Sequence, residues 1–146
     1  VNIAGRARRL RRRVGFRGDT LLFFSVIDIC YGLSMIFPGE GARRSAMAGY
    51  VGHILPLTVW GCIFLAVAAV CIWYALRLRD RVAFAASSVL KAVWGLVALL
   101  GWAVGDVERG WVSAAIWLVM SAWVTRVAYW PEPMPTLPPA PPPGRR

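Results

Sequence analysis

The sequence predicts an all-α integral membrane bundle of four transmembrane helices, with both termini on the cytoplasmic side. Three observations carry that prediction. Four apolar stretches, 21–37, 49–76, 82–104 and 111–129, fill almost all of the chain between Leu21 and Tyr129. Each is near the roughly 20 residues needed to cross a bilayer core. Only 16% of the 146 residues are charged, against 58% hydrophobic, and mean hydropathy is +0.57. A soluble helical fold would carry charges every few residues along an outward stripe, whereas here nearly all of them lie outside the four stretches. Finally, thirteen basic residues fall on one side of the predicted membrane and three on the other. By the positive-inside rule, the even span count and this bias together give an N-in, C-in topology.

Residues 1–20 form a basic arm. Arg6, Arg8, Arg9, Arg11, Arg12 and Arg13, with Arg17, precede the first span. Such a run can bind nucleic acid, but directly before an apolar span it reads as a topogenic segment facing anionic headgroups, each arginine being attracted by about 1 kcal/mol near the surface. No nucleic-acid partner is expected. Ile3, Ala7, Leu10 and Val14 share one face of a helix with arginines around it, a pattern that suits an interfacial helix.

The first span, 21–37, ends at the breaker Phe37-Pro38-Gly39. It reads as a retained helix. It is long, it contains Asp28, and Arg43-Arg44 separate it from the small-residue triplet Ala46-Met47-Ala48, features that do not suit a cleaved signal. The second span, 49–76, is the longest and contains Pro56, which lacks an N–H and predicts a kink near Gly52–Pro56. The joint at 77–81 carries three arginines, and its brevity makes spans two and three antiparallel neighbours. The turn at 105–110 does the same for spans three and four. The transmembrane domain thus covers 21–130. Eight of the sixteen residues from 131 to 146 are proline, so this tail is predicted to be disordered, sampling polyproline II in the cytoplasm. Both tails are candidate contacts for a protein partner.

Aromatic residues mark the predicted interfaces: Trp73, Tyr74, Tyr129 and Trp130 at the inner ends, Tyr50, Trp102 and Trp111 at the outer ends. Trp60, Trp94, Trp117 and Trp123 lie deeper and are expected to pack between helices. Small residues at four-residue spacing, Ala48/Gly52, Gly101/Gly105 and Gly110/Ala114, are candidate close helix contacts, with Gly52, Gly101, Gly105 and Ala114 as the packing residues. These faces also suit a homo-oligomer.

Three ionisable side chains lie within spans: Asp28, His53 and Lys91. A charge at the bilayer centre costs about 2.5–3.5 kcal/mol on insertion scales and is functional by default. At about 1.5 Å per residue, Asp28 lies roughly 10 Å and Lys91 roughly 13 Å from the inner ends of their spans. These matched depths predict an Asp28–Lys91 ion pair between spans one and three. Its alternative is a Lys91 that snorkels toward the cytoplasm beside a protonated Asp28. His53, near the outer end of span two, reads as an interfacial or gating histidine.

No nucleophile elbow, HExxH, phosphate loop or paired carboxylates within one span is present. Cys30, Cys62 and Cys71 have neither CxxC spacing nor a His or carboxylate cluster. The expectation is a non-enzyme with no metal or cofactor.

Several runs resemble small four-span membrane proteins encoded by actinobacterial phages. They are Arg13-Val14-Gly15-Phe16-Arg17-Gly18 into Leu21-Leu22-Phe23-Phe24 with Asp28 and Tyr31-Gly32; Asp80-Arg81-Val82-Ala83-Phe84 with Lys91 and Trp94-Gly95; and Glu108-Arg109-Gly110-Trp111-Val112-Ser113-Ala114. The resemblance covers about residues 11–131. Such proteins are holin-like or of unassigned role, so the resemblance implies a location in the cytoplasmic membrane of a bacterial host and, in its holin-like form, copies that associate and permeabilise that membrane. Two other classes stay open: a phage exclusion or virion-associated interaction protein, and a small proton-coupled or cation transporter using Asp28.

Overall fold

The computed structural model describes residues 3–43, 45–75 and 81–131, with side chains from residue 15 onward except those of 42 and 43. Among these residues all regular structure is helical: α1 (Ile3–Ile36), α2 (Glu40–Arg43), α3 (Ala46–Ile54), α4 (Leu57–Ala75), α5 (Arg81–Ala103) and α6 (Gly110–Ala128). Four segments are long and apolar enough to span a bilayer: Gly15–Ile36, Leu57–Ala75, Arg81–Ala103 and Gly110–Ala128. The chain is a multi-pass membrane protein with a four-helix bundle. The side chains of Arg6, Arg8, Arg9, Arg11, Arg12 and Arg13, the joint at 76–80 and the tail from 132 lie outside the described residues.

The first span starts at Gly15, earlier than its hydropathy predicts. Gly15 sits at φ 63° and ψ 178°, outside the helical region, and this separates an arm helix from the span. The polar residues that hide the start from a hydropathy reading are accommodated by packing. Thr20 donates its hydroxyl to the Phe16 carbonyl at 3.0 Å, and the Arg17 guanidinium lies 5.4 Å from the centre of the Phe84 ring.

The second span differs more. The predicted stretch 49–76 is not one kinked helix but two helices. α3 is capped by Ser45, whose side chain accepts from the Ala48 N–H at 3.1 Å, and it ends at Leu55, which is extended (φ −148°, ψ 147°). A residue before proline is pushed out of the helical region, and here that preference breaks the helix outright. Only α4 has the length of a span.

The turn between α5 and α6 is closed by Gly105, at φ 88°, a conformation that glycine adopts without the penalty of a Cβ. Val107 then folds back. Its N–H donates to the Gly101 carbonyl at 3.0 Å, and its side chain is buried.

The helices associate as two tight antiparallel pairs, α1 with α4 and α5 with α6, each far more extensive than the contact between pairs. Single glycines weld each pair. A Cβ on Gly61 would lie 2.7 Å from the Gly32 carbonyl and 2.6 Å from Ile36, and one on Gly32 would lie 2.9 Å from the Gly61 carbonyl. In the other pair, a Cβ on Gly110 would meet the Ala98 carbonyl at 2.5 Å, and one on Gly95 would meet Leu118 at 2.9 Å.

Two of the four expected packing residues hold such places. Gly101 is buried against Tyr50 and Val107, and Ala114 is buried facing Gly95. At Gly52 and Gly105 a Cβ would find no described atom within 4 Å, so neither is a contact residue. Gly52 faces outward on α3, and Gly105 serves the turn.

Gly61→Val is expected to destabilise the fold by about 1–3 kcal/mol through overpacking. Gly52→Ala should be neutral, or stabilising by up to about 1 kcal/mol from helix propensity. The midpoint of SDS-induced unfolding of the purified protein reads both, and equal effects at the two positions would contradict the packing described.

Candidate functional site

The interface between the two pairs is built in layers. Toward the end of the bundle that carries Phe16 and Trp130, whose rings are 6.3 Å apart, lies an apolar layer. It includes Leu21, Phe24, Cys71, Phe84, Val124 and Val127. Both the start of the first span and the end of the fourth are therefore at this terminal end. Toward the opposite loop end lies a second layer that includes Trp60, Phe64, Trp94 and Trp117. Between the two layers sit Asp28 and Lys91.

Both side chains are 0% exposed. The Lys91 ammonium donates to Asp28 Oδ1 and Oδ2 at 2.9 Å each, and to Ser87 Oγ at 2.9 Å. An ammonium has three N–H donors, and these contacts use all three. The Phe24 ring adds a cation–π contact at 4.9 Å. The structure thus brings together the two residues matched by depth, with Lys91 aimed into the bundle instead of snorkelling.

Helical spacing places every part of the site. Phe24 and Asp28 are four apart on α1, and Ser87 and Lys91 are four apart on α5, so each helix presents two of the four groups on one face, and Phe24, Asp28 and Ser87 all meet the Lys91 ammonium. Three residues further along each helix come Tyr31 and Trp94, which pack edge to face at 5.6 Å. Around them all four spans contribute rings. Tyr31 meets Phe64 at 5.2 Å and Trp117 at 5.0 Å, and Trp94 meets Trp60 at 5.2 Å and Phe64 at 5.5 Å. Offset and edge contacts of this kind contribute about 0.5–1.5 kcal/mol each beyond burial. Met35, Val51 and Leu90 are buried with these rings, so apolar packing fills this layer.

The remaining expected site residues lie elsewhere. His53 is exposed on α3, outside the four spans, and Pro56 sits at the α3–α4 break. Trp60, Trp94 and Trp117 are buried as expected, but Trp123 is 49% exposed on the outer face of α6. Among the described residues no group of three or more His, Cys, Asp or Glu could hold a metal ion. Sequence reasoning missed Ser87, Phe24, Tyr31 and Phe64. For the first three, the signal was the same three- and four-residue spacing from Asp28 and Lys91.

A buried pair breaks asymmetrically. Removing one partner leaves an uncompensated charge and costs about 3–5 kcal/mol, whereas replacing both by apolar groups is often neutral. Asp28→Asn and Lys91→Met are each expected to lower stability and membrane accumulation, and the double variant, which buries no charge but keeps one amide, to recover part of the loss. A double variant that accumulates no better than either single one would show that the two side chains act independently.

No family model, curated protein or solved structure matches the chain.

Proposed function

We propose that this chain is a holin-like protein of a bacterial cytoplasmic membrane, encoded by a phage, which associates with further copies and permeabilises that membrane. The observation that carries the reading is where the charges sit. They lie on the interface between two glycine-welded helix pairs, not within either pair.

In the closed chain the pair is neutral as a unit and dry. The aromatic rings cover it on one side, and Leu21, Phe24 and Phe84 on the other. Parting α1–α4 from α5–α6 breaks few backbone approaches but bares Asp28, Lys91 and Ser87. Those groups are costly in hydrocarbon and favourable in water. Association of opened copies gives them a common aqueous lining, and mass action favours association as the protein accumulates. The terminal end is assigned to the cytoplasm by the positive-inside rule, because thirteen of the basic residues precede the first predicted span, join the second to the third, or lie at or after the C-terminal end of the fourth in the sequence. The resemblance to phage-encoded four-span proteins points the same way.

A transporter using Asp28 is less well supported. Both carboxylate oxygens are engaged by Lys91, and the apolar layers on both sides leave no standing site for a cation among the described residues.

Inducible expression in a bacterium, with dye entry and membrane potential followed over time, tests the proposal. The expected result is abrupt depolarisation after a delay. The Asp28→Asn/Lys91→Met double variant should accumulate yet delay or abolish it, which also controls for general toxicity. Continued growth with Asp28-dependent toxin resistance would favour transport, and continued growth with blocked phage infection would favour exclusion.

A further inference from the structure

The seam divides the bundle into two halves that complete each other. α4 carries no charged residue, and α5 and α6 carry no carboxylate. The nearest basic residue to Asp28 on its own half is Arg17, eleven residues or roughly 16 Å along α1. Each buried charge thus has its counterion on the opposite half. The rings divide in the same way: Tyr31 and Phe64 of one half pack against Trp94 and Trp117 of the other, at 5.0 to 5.8 Å.

We infer that a second copy of the chain is a partner for this seam: α1–α4 of each copy docks on α5–α6 of the other, and Asp28 of each pairs with Lys91 of the other. Such exchange specifies the contact between copies on which the holin-like reading rests, and it needs no permeabilisation.

Each half is held by its own close approach, Gly32 on Gly61 in one and Gly95 and Gly110 in the other. The seam between them is uneven. α4 and α5 meet over a longer contact than α1 and α6, and a groove of about 480 Å³ opens between α1 and α6, lined by Phe23, Phe24, Val119 and Trp123 among others. The halves therefore part at the α1–α6 edge and turn about α4–α5. Five residues join Ala75 to Arg81, with a greatest reach of roughly 20 Å. Packed helices stand about 8–10 Å apart, so this joint can cross to an adjoining copy.

The membrane supplies the alignment. Copies inserted in one orientation hold Asp28 and Lys91 at the depths these residues have within a chain. An opened half bares a charge that is costly in hydrocarbon, and the complementary half of a neighbour satisfies it with the same contacts as its own. Exchange of identical elements is a low-cost route to a dimer, and two-fold exchange leaves no half unpaired.

The test is charge reversal in full-length chains with two different tags. Asp28→Lys alone puts two ammonium groups at the seam, and Lys91→Asp alone puts two carboxylates there. Neither chain can form the pair within itself or with its own kind, so each should accumulate several-fold less than the native chain. Co-expressed, the two restore both pairs by exchange alone: the introduced lysine meets the introduced aspartate, and native Asp28 meets native Lys91. Both chains should then recover and co-purify. The Asp28→Lys/Lys91→Asp double variant, which restores the pair within one chain, is the control. Its recovery without recovery of the co-expressed single variants would overturn the inference.

Cross-linking decides the matter where reversed charges are not tolerated in any combination. The Cys71 thiol lies 3.7 Å from the Ala83 carbonyl across the seam, and Ala83 is one turn from Ser87 on α5. With Cys30 and Cys62 changed to Ala, one tagged chain keeps Cys71 alone. The other carries Cys71→Ala and Ser87→Cys. Both retain Asp28 and Lys91. Oxidation of membranes holding the two chains should give a disulfide-linked product with both tags, and its absence would overturn the exchange. None of these readouts is a permeability, so exchange can fail while the depolarisation expected of the holin-like reading stands.

Discussion

A carboxylate and an ammonium at mid-depth in an apolar bundle can persist only if each finds the other, and most of the architecture follows from that requirement. Asp28 stands on α1 and Lys91 on α5, in different helix pairs. The two pairs must therefore dock in one register and one rotation for all three ammonium donors to be used. A shift of one residue along either helix turns its charge by about 100°, away from its partner. The apolar and aromatic layers on either side are then fixed as well, because Phe24, Tyr31, Ser87 and Trp94 are tied to the charges by helical spacing.

The two kinds of interface divide the work. Within a pair the backbones approach closely, since Gly32, Gly61, Gly95 and Gly110 have no Cβ to hold them apart. Lipid tails are as apolar as leucine, so such contacts owe their stability to dispersion and to weak polar contacts at short range. Serine and threonine supplement them in α5–α6, where Ser121 donates to the Ser88 carbonyl at 2.9 Å. Between pairs the separation is set by bulk: rings, a lysine and an aspartate fill the space. The first interface is a close backbone approach, and the second is a less extensive one held by side chains.

The span count and the ion pair were legible in the sequence, because hydropathy and depth are properties of single helices. What escaped it depends on relations between helices or on local backbone geometry. Gly52 and Gly32 look alike in one dimension, and only the facing Gly61 marks Gly32 as a contact. Trp117 and Trp123 both lie within the apolar run, yet six residues set them about 120° apart around the helix, and only Trp117 is buried. Arg17 and Asp19 lower the local hydropathy and hid the start of the first span, although Phe84 offers the guanidinium a partner. At Pro56 the apolar run is continuous on both sides, so composition gave no sign that steric exclusion at Leu55 would end one helix and begin another.

An Asp–Lys pair is a poor device for stability alone. Apolar residues of similar volume would avoid the desolvation of two ions and generally leave a bundle as stable or more so. What the ions add is a difference between states: their separation is prohibitive in a dry, closed chain and tolerable where water can reach them. The pairs α1–α4 and α5–α6 are each complete without the charges, and the charges lie on the seam between them. A seam closed by groups that favour hydrocarbon only when joined is a latch, whose release depends on the supply of another aqueous or polar surface. In the proposed holin-like role, further copies of the same chain would supply that surface. This is why the position of the pair bears more on function than its strength does.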